Sequence, residues 1–378
     1  MSSPILRADP KTGFTRVVGV GGIGTGSIIA LEGNHTLGRN ESRMGRALDA
    51  RDYCKLHIVE HYIAVLFGCR ESQDMFRVFA IGNVGNDLAG ASLIREMANA
   101  GIDTRYVGIE PERNTLFSVT ILYPDGSGGN ITTSNSAACA LSRSQLSKCR
   151  KDLAVAGAHG VALCLPEVPI DARQEFLRIA TECGSYRVAS FPSGEMDMVR
   201  RLNLLSHVDL LALNQEETAA LAGVQSSEER LLEACSAVAT AANPNMRILA
   251  SAGADGVYIF ENGAWSHCES VPVEAISTAG AGDALLAGTI AGLAAGLPLA
   301  DSTHTNWNGS TEICSAIDLG LTLAGFSVTS PHTIHPDANL ETMLAFAGGK
   351  GIVMSAKLQS RCSHGAAAGS ECTSHLPR

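Results

Sequence analysis

The sequence predicts an α/β fold with a central, mostly parallel sheet that has helices on both faces, plus a small β-rich lid. In the second half of the chain, strand-like apolar runs alternate with helical runs, from VALCLP at 161–166 to QEETAALAG at 215–223. This alternation is typical of a parallel sheet covered on both faces. Three polar or glycine-rich motifs also follow directly on predicted strands, where open parallel sheets bind ligands.

Composition and charge limit the class of function. The 378 residues are 45% hydrophobic, which suits a globular chain with one large domain and an extra module. The formal charge of −10 argues against an extended surface for nucleic acid or anionic membrane. The 11 cysteines form no CxxC pair, as expected for a reduced, cytoplasmic protein. We therefore expect a small-molecule partner, with neither nucleic acid nor membrane.

An uncharged run from 284 to 300 lies near the lower length limit for a membrane-spanning helix. It is rich in alanine and glycine and contains Thr289 and Pro298. These features favour a buried helix of a large α/β core.

The N-terminal strand TRVVGV leads into GGIGTG, which contains the spacing GxGxxG at Gly19, Gly21 and Gly24. That spacing is found in dinucleotide-binding turns, so an NAD-binding dehydrogenase is one alternative. Such a turn opens a helix, whereas here Gly33 and Gly38 interrupt the sequence that follows. The context therefore disfavours this alternative.

An arginine-rich segment at 39–55 precedes the helical pattern LHIVEHYIAVLFG. We favour a solvated helix face on which Glu41, Asp49 and Asp52 balance the arginines. The second interpretation is a pocket for an anionic substrate, because arginine binds phosphate and carboxylate in a bidentate manner.

The next segment predicts a strand from Val78 to Ile81, a glycine loop, and a helix from about Leu88 to Ala100 that Gly101 ends. Beyond it, the residues from 115 to 134 alternate between apolar and polar around a PDG turn. This alternation predicts a β-hairpin with one exposed face.

Three motifs in the second half carry the candidate chemistry. NQEE at 214–217 opens a helix, and its Asn-x-x-Glu spacing is also that of a helix cap. SAGADG at 251–256 suits either a phosphate cradle or an Asp-Gly hairpin turn. STAGAGD at 277–283 places small residues before a long helix, where N–H groups bind anions, and Asp283 is a candidate general base. The alternative for this last motif is a turn shaped by packing.

The order of these motifs, together with FAIGNVGNDLAGASLIREMANAGIDT at 79–104, resembles the ribokinase-like carbohydrate kinases, also called the PfkB family. The resemblance extends from Arg16 to Pro336. It implies an ATP-dependent, Mg²⁺-requiring kinase that phosphorylates a hydroxyl of a sugar or sugar-like substrate. A non-catalytic relative that binds a nucleotide or sugar is the alternative.

The resemblance also assigns roles to individual residues. It implies that Asp283 is the catalytic base and contacts the substrate, and that Glu217 organises Mg²⁺. The other implied positions are the anion hole at Gly280, Ala281 and Gly282, the nucleotide-binding residues Asn214, Glu217, Ser251, Gly253 and Gly256, and a substrate contact at Glu167.

The resemblance sets the expected domain organisation. Residues 1–347 form one kinase domain, whose lid comes from about 23–40 and 112–135 and pairs two subunits in a homodimer. The composition of residues 348–378, rich in Gly, Ala and Ser, predicts a disordered tail.

The chain departs from the family pattern at several positions. Ser277 stands where many relatives have an aspartate that helps to hold a monovalent cation, so a potassium site is not implied. Gly26 occupies the place of a sugar-binding aspartate, and KLHIVEHYIAVLFG replaces the usual GGxxxN substrate loop. Phe191 precedes Pro192 where relatives often have asparagine. The substrate machinery therefore differs from that of a simple ribokinase or fructokinase.

Overall fold

The computed structural model describes residues 3–11, 13–69, 76–125, 128–224, 227–301 and 312–364. Its strands are β1 (Pro4–Leu6), β2 (Arg16–Val20), β3 (Gly24–Leu31), β4 (Gly45–Ala47), β5 (Asp52–Tyr53), β6 (Arg77–Gly85), β7 (Ile102–Glu110), β8 (Leu116–Leu122), β9 (Gly128–Thr132), β10 (Gly160–Cys164), β11 (Tyr186–Ala189), β12 (Leu210–Asn214), β13 (Arg247–Ser251), β14 (Val257–Glu261), β15 (Ala264–Cys268), β16 (Glu312–Ile313), β17 (Val353–Met354) and β18 (Cys362–His364).

Its helices are α1 (Lys55–Leu66), α2 (Leu88–Asn99), α3 (Arg143–Ser147), α4 (Arg150–Ala156), α5 (Ile170–Glu182), α6 (Met196–Arg201), α7 (Gln215–Ala222), α8 (Glu228–Ala242), α9 (Ala281–Ala294), α10 (Ala316–Ser327), α11 (Leu340–Gly349) and α12 (Ala356–Gln359).

A nine-stranded central sheet organises the molecule in the order β15-β14-β13-β12-β11-β10-β2-β6-β7. Every pairing from β13 to β7 is parallel, and β14 and β15 are antiparallel. This arrangement confirms the predicted α/β class with a mostly parallel sheet. The carboxyl ends of the parallel strands therefore meet at one edge, which we call the carboxyl edge.

The central strands are apolar throughout because helices cover both sheet faces. All five residues of β10 are buried. Val161 and Leu163 pack into the cluster formed with α1, α9 and α10, whereas Ala162 and Cys164 pack into the cluster formed with α5, α6 and α8. Successive strand residues point to opposite faces, so a strand buried on both sides needs apolar residues at every position.

The uncharged run at 284–300 is a buried helix up to Ala294, the end of α9, as the sequence predicted for this part. Within α9, a Cβ at Gly288 would lie 2.7 Å from the Cα of Gly320 in α10, so the two glycines let these helices pack closely. Among the described residues, no helix is both long and apolar enough to cross a membrane.

A second sheet, which we call the small sheet, has the order β4-β3-β8-β9, with β5 paired to β3. The predicted hairpin about the PDG turn is present as antiparallel β8 and β9. The prediction of a solvated helix face for the arginine-rich segment at 39–55 is wrong, because this segment contributes β4 and β5 to the small sheet before α1 begins at Lys55. Arg43 of this segment pairs with Glu41 at 2.6 Å, so a carboxylate of the protein, and no bound ligand, balances the charge of this arginine.

The GxGxxG spacing near the N-terminus does not form a dinucleotide-binding turn. Gly19 lies within β2, and after Gly21 the chain enters β3, which starts at Gly24. A dinucleotide-binding turn requires a helix N-terminus at this position, and the chain continues as a strand.

The expectation of a disordered tail from residue 348 needs correction for residues 348–364. β17 pairs with β16, β18 pairs with β1, and α12 lies between them. Ile352 and Leu358 are buried and supply apolar contacts, which a composition rich in Gly, Ala and Ser did not predict. Residues 365–378 lie outside the described residues.

Asp87 joins α2 to the first strand of the predicted hairpin. Its carboxylate accepts hydrogen bonds from the N–H of Gly90 (2.8 Å), the N–H of Thr115 (2.8 Å) and the hydroxyl of Thr115 (2.6 Å). Asp87→Ala removes a helix cap and leaves donors unpaired, so we expect a loss of roughly 2–3 kcal/mol in the free energy of unfolding.

Urea unfolding of Asp87→Ala measures this loss. Asp197→Ala is the matched control, because Asp197 also lies in the first turn of a helix but its side chain is 81% exposed. Equal losses in the two variants would show that the link to Thr115 contributes nothing to stability.

Candidate active site

The N-terminus of α9 lies at the carboxyl edge and is shaped by two glycines. Gly280 has φ +79°, and a Cβ there would lie 2.7 Å from the carbonyl oxygen of Thr333, so glycine is required. The N–H of Ala281 already donates to Thr278 O (3.2 Å), and the N–H of Ala284 donates to Gly280 O (2.9 Å). The N–H groups of Gly282 and Asp283 lie between these bonds, in the first turn of the helix, where amides lack intrahelical partners.

Strand pairing brings the three candidate motifs together. Asn214 and Ser251 are direct partners in the register of β12 and β13. A Cβ on Gly282 would have only one neighbour within 4 Å, the Ser251 hydroxyl at 3.9 Å. The space above Gly282 is thus open and faces the end of β13.

NQEE is a helix cap, as one of its two interpretations held. The N–H of Glu217 donates to Asn214 Oδ1 (2.8 Å), and the N–H of Asn214 donates to Glu217 Oε2 (2.9 Å). The other oxygen, Glu217 Oε1, lies 3.6 Å from Lys55 Nζ. The cap therefore also fixes a carboxylate at the carboxyl edge.

SAGADG is the turn of the β13–β14 hairpin. The N–H of Ala252 donates to Gly256 O (2.8 Å), and Gly256 has φ +100°. A Cβ on Gly253 would meet nothing within 4 Å. The motif thus forms a hairpin loop, and Ser251 is its member that lies beside Gly282.

Asp283 is half-buried among charged groups. Burial raises its pKa to about 6, Lys55 acts to lower it, and the carboxyls of Glu167, Glu217 and Asp52 raise it further. A carboxyl group with a pKa near 6 can exchange a proton close to neutral pH.

Lys55 was missed in the sequence analysis. It is the first residue of α1 and its side chain is about one-third exposed. Burial acts to lower its pKa, but Asp283, Glu217 and Glu167 together raise it, so the ammonium stays charged. Nothing in the local pattern KLHIVEHY distinguishes it, because its partners are 112 to 228 residues away in the chain.

Glu167 follows β10 and adopts φ +72°, which is uncommon for a residue with a side chain. Its Oε2 atom is buried and has no hydrogen-bond partner among the described residues. Burial raises its pKa, whereas the Cys54 thiol and Lys55 act to lower it.

Asp52, also missed in the sequence analysis, is 7% exposed and lies in β5 immediately before Cys54 and Lys55. Its sequence context suggested only a counter-charge for the neighbouring arginines. The structure instead places it among the groups that influence Asp283.

The donor set around the site decides which metal it could hold. Within the described ranges, no three His, Cys, Asp or Glu side chains could together hold a metal ion. Mg²⁺ needs only one or two protein carboxylates, since it keeps several waters and binds substrate phosphates. Glu217 suits a contact with Mg²⁺ through water, because its Oε2 accepts the hydrogen bond of the helix cap and its Oε1 faces Lys55. The Ser277 hydroxyl accepts the N–H of Ala279 (3.3 Å), a local turn contact.

Solved structures share this fold at low sequence identity. A ribokinase from Giardia lamblia is 15% identical with a TM-score of 0.68, covering 84% of this chain and 94% of that one. A ribokinase from Thermotoga maritima is 16% identical (TM-score 0.66, 89% and 100%). A nucleoside kinase from Burkholderia thailandensis, in complex with inosine, is 14% identical (TM-score 0.63, 89% and 98%).

No curated protein sequence matches this chain. The model of the pfkB family carbohydrate kinases matches residues 64–338, which is more than half of the chain and includes NQEE, SAGADG and STAGAGD. The chain therefore belongs to the PfkB family of carbohydrate kinases.

Proposed function

We propose that this protein transfers the γ-phosphoryl group of ATP to a hydroxyl of a sugar or sugar-like acceptor, with Asp283 as general base. The observation that carries the proposal is the position of Asp283. It lies half-buried in the first turn of α9, where Lys55 acts on it electrostatically, at the edge of the open space above Gly282.

In this reaction the Asp283 carboxylate takes the proton of the acceptor hydroxyl, whose oxygen then bonds to the γ-phosphorus as the bond to the bridging oxygen of ADP breaks. Phosphoryl transfer depends mainly on positioning and on neutralising charge. The residues proposed for the anion hole are Gly280, Ala281 and Gly282, among which the N–H of Gly282 is the best placed. Ser251, Gly253, Gly256 and Asn214 are the proposed nucleotide-binding residues.

Lys55 adds a positive charge between Asp283 and Glu217. Glu217 would hold Mg²⁺ through water, and bound Mg²⁺ supplies charge neutralisation to the phosphates. Potassium dependence is not part of the proposal, since Ser277 brings no carboxylate to the place where many relatives hold a monovalent cation.

We propose that residues 1–347 act as one kinase domain in the cytoplasm. The small sheet would be its lid, which would close over the acceptor and exclude water. Phe117 and Ile131 are exposed on this sheet and support its proposed role in pairing two subunits.

Incubation of the purified protein with Mg-ATP and a panel of sugars, sugar acids, nucleosides and sugar phosphates tests the proposed function. We expect acceptor-dependent ADP release that Asp283→Asn abolishes. Ligand binding without such turnover would instead support the non-catalytic alternative. The dehydrogenase alternative is not supported, because a strand and not a helix follows the glycines of GxGxxG. A binding assay in which the protein does not bind NAD(H) would exclude it.

The pH dependence of kcat should reflect the surroundings of Asp283. Its raised pKa of about 6 means that the base is protonated at lower pH, so kcat should fall below about pH 6 and level off above it. Because Lys55 lowers this pKa and Glu167 raises it, Lys55→Met should move the acidic limb to higher pH and Glu167→Gln should move it to lower pH.

Rate profiles between pH 4.5 and 9 measure these shifts, with Lys148→Met as the control because Lys148 is exposed on the surface. A limb that stays at the same pH in both site variants would mean that another group titrates.

A further inference from the structure

A row of glycines at the start of the small sheet makes room for three side chains. Gly24 and Gly26 share one face of β3, and Gly22 precedes them at the same spacing. The space that a Cβ would occupy is taken by Glu167 at Gly22, by Leu116 and the Cys54 thiol at Gly24, and by the Asp52 carboxylate with the Ser118 hydroxyl at Gly26. These contacts explain why Gly22, Gly24 and Gly26 of GGIGTG are glycines.

The face of the small sheet beside Asp52 is polar. Ser118 and Thr120 in β8 donate their hydroxyl groups to Asp52 Oδ2 at 3.2 and 3.4 Å. Asn130 in β9 donates to the Thr120 hydroxyl at 2.8 Å, and Thr132 donates to Asn130 Oδ1 at 2.8 Å. The chain of hydrogen bonds fixes the Asp52 carboxylate against Gly26.

The strand that carries Asp52 is connected to the helix that carries the proposed base, Asp283. Thr333 hydrogen-bonds to Arg51 and Tyr53, on either side of Asp52, and its carbonyl oxygen lies against Gly280 at the start of α9. This contact joins the strand of Asp52 to the helix that carries Asp283, and both Asp52 and Glu167 act electrostatically on Asp283. The buried Oε2 of Glu167 has no hydrogen-bond partner among the described residues. A buried polar atom without a partner is costly, which makes it a natural acceptor for a donor group on a ligand.

We infer that Asp52 and Glu167 form the acceptor-binding wall, and that Asp52 selects acceptors which present hydroxyl or amine donors, and no negative charge, to this wall. The inference rests on the proposed function and adds the class of acceptor. It favours uncharged sugars and amino sugars over sugar acids and sugar phosphates.

Charge explains the selection. An anionic group at this wall would meet the carboxyls of Asp52, Glu167 and Asp283 in a buried setting, where like charges are costly. Lys55 is already engaged by Asp283 and Glu217. Two arginines of the 39–55 segment do not neutralise these carboxyls: Arg43 pairs with Glu41, and Arg46 is exposed in β4.

Calorimetric binding and turnover with matched acceptors test the inference. Each set contains a sugar, its amino sugar, its sugar acid and its sugar phosphate, measured with the wild type, Asp52→Asn and Asp197→Asn. Asp197→Asn is the matched control, because it is the same change of side chain at a residue that is 81% exposed in α6, outside the small sheet. Ser118→Ala is a second variant, which removes one donor to Asp52 and keeps its charge.

We expect the wild type to bind the uncharged and amino members at least 10-fold more tightly than the anionic members. Asp52→Asn should weaken binding of the uncharged members by about 10–100-fold, the range for a hydrogen bond to a charged group, and reduce discrimination against anions. Ser118→Ala should have a smaller effect in the same direction, and Asp197→Asn none.

Any of three results would overturn the inference. The wild type prefers an anionic member, it binds no uncharged member, or Asp52→Asn weakens binding of all members equally. Equal weakening would indicate that Asp52 only supports the fold. Selective binding of uncharged members without Asp283-dependent ADP release would support this acceptor wall while contradicting the proposed kinase activity, so the two failures are distinguishable.

Discussion

Asp283→Asn should lower kcat by roughly 10²–10⁴-fold, the usual contribution of a general base. The amide has nearly the same shape as the carboxylate but cannot accept the proton of the acceptor hydroxyl. Its neutrality also removes the cost of burying a charge that raises the pKa of Asp283, so the variant should be at least as stable as the wild type at neutral pH. Steady-state kinetics and thermal unfolding of the same preparation separate these two effects.

Glu182→Gln is the matched control for this variant. It is also a carboxylate-to-amide change, but Glu182 is the last residue of α5 and pairs with Arg150 and Arg178 on an exposed surface. We expect its kcat to match that of the wild type. A kcat of Asp283→Asn within 3-fold of the wild type would exclude Asp283 as the base.

Gly282→Ala should lower kcat/KM by on the order of 10²-fold, comparable to the loss of one donor in an oxyanion hole. A Cβ here would meet no protein atom closer than the Ser251 hydroxyl at 3.9 Å, so the protein itself accommodates the methyl group. The methyl group would instead occupy the space proposed for the transferring phosphoryl. We therefore expect a large kinetic effect with an unchanged melting temperature.

Gly348→Ala provides the comparison, because Gly348 lies in α11 and a Cβ there would also meet nothing within 4 Å. Kinetics and melting temperature should both be unchanged in this control, or slightly improved in stability, since alanine favours helix. If Gly282→Ala behaves in the same way, no phosphoryl group passes over Gly282.

The parts of the fold that periodicity dictates were predictable from the sequence. The strands β10, β11 and β12 are mainly apolar runs, and the helices α5, α6 and α7 between and after them were recognised from the same alternation. The central strand β7 (IDTRYVGIE) was not predicted, because polar residues interrupt its apolar ones. The arginine segment was not, because β4 and β5 are only three and two residues long and depend on pairing with β3. Strands this short leave no periodic pattern.

Residues at the candidate site were predictable where a local motif marks them. Asp283, Asn214 and Ser251 each follow a strand or open a helix, so their position at the carboxyl edge follows from chain order. Asp52 and Lys55 lack such a motif. Their importance arises from partners that only the folded chain brings close, as with Lys55 and Glu217, which lie 3.6 Å apart.

Thr333 connects the two halves of the candidate site. Its N–H and hydroxyl both donate to the carbonyl oxygen of Arg51 (3.1 and 3.3 Å), and its hydroxyl accepts the N–H of Tyr53 (3.1 Å). Its own carbonyl oxygen occupies the place that a Cβ on Gly280 would need. One residue thus anchors both the strand that carries Asp52 and the turn that begins α9.

Nucleotide and acceptor should for this reason bind with positive cooperativity, because ordering one half of the site restrains the other. Linkage requires the effect to be reciprocal: each ligand should raise the affinity of the other by the same factor. Thr333→Val, which keeps the shape and loses the hydroxyl, should bring that factor closer to one, as titration of each ligand with and without the other would show. The protein would then hold its two substrates as a coupled pair, which limits hydrolysis of ATP when no acceptor is present.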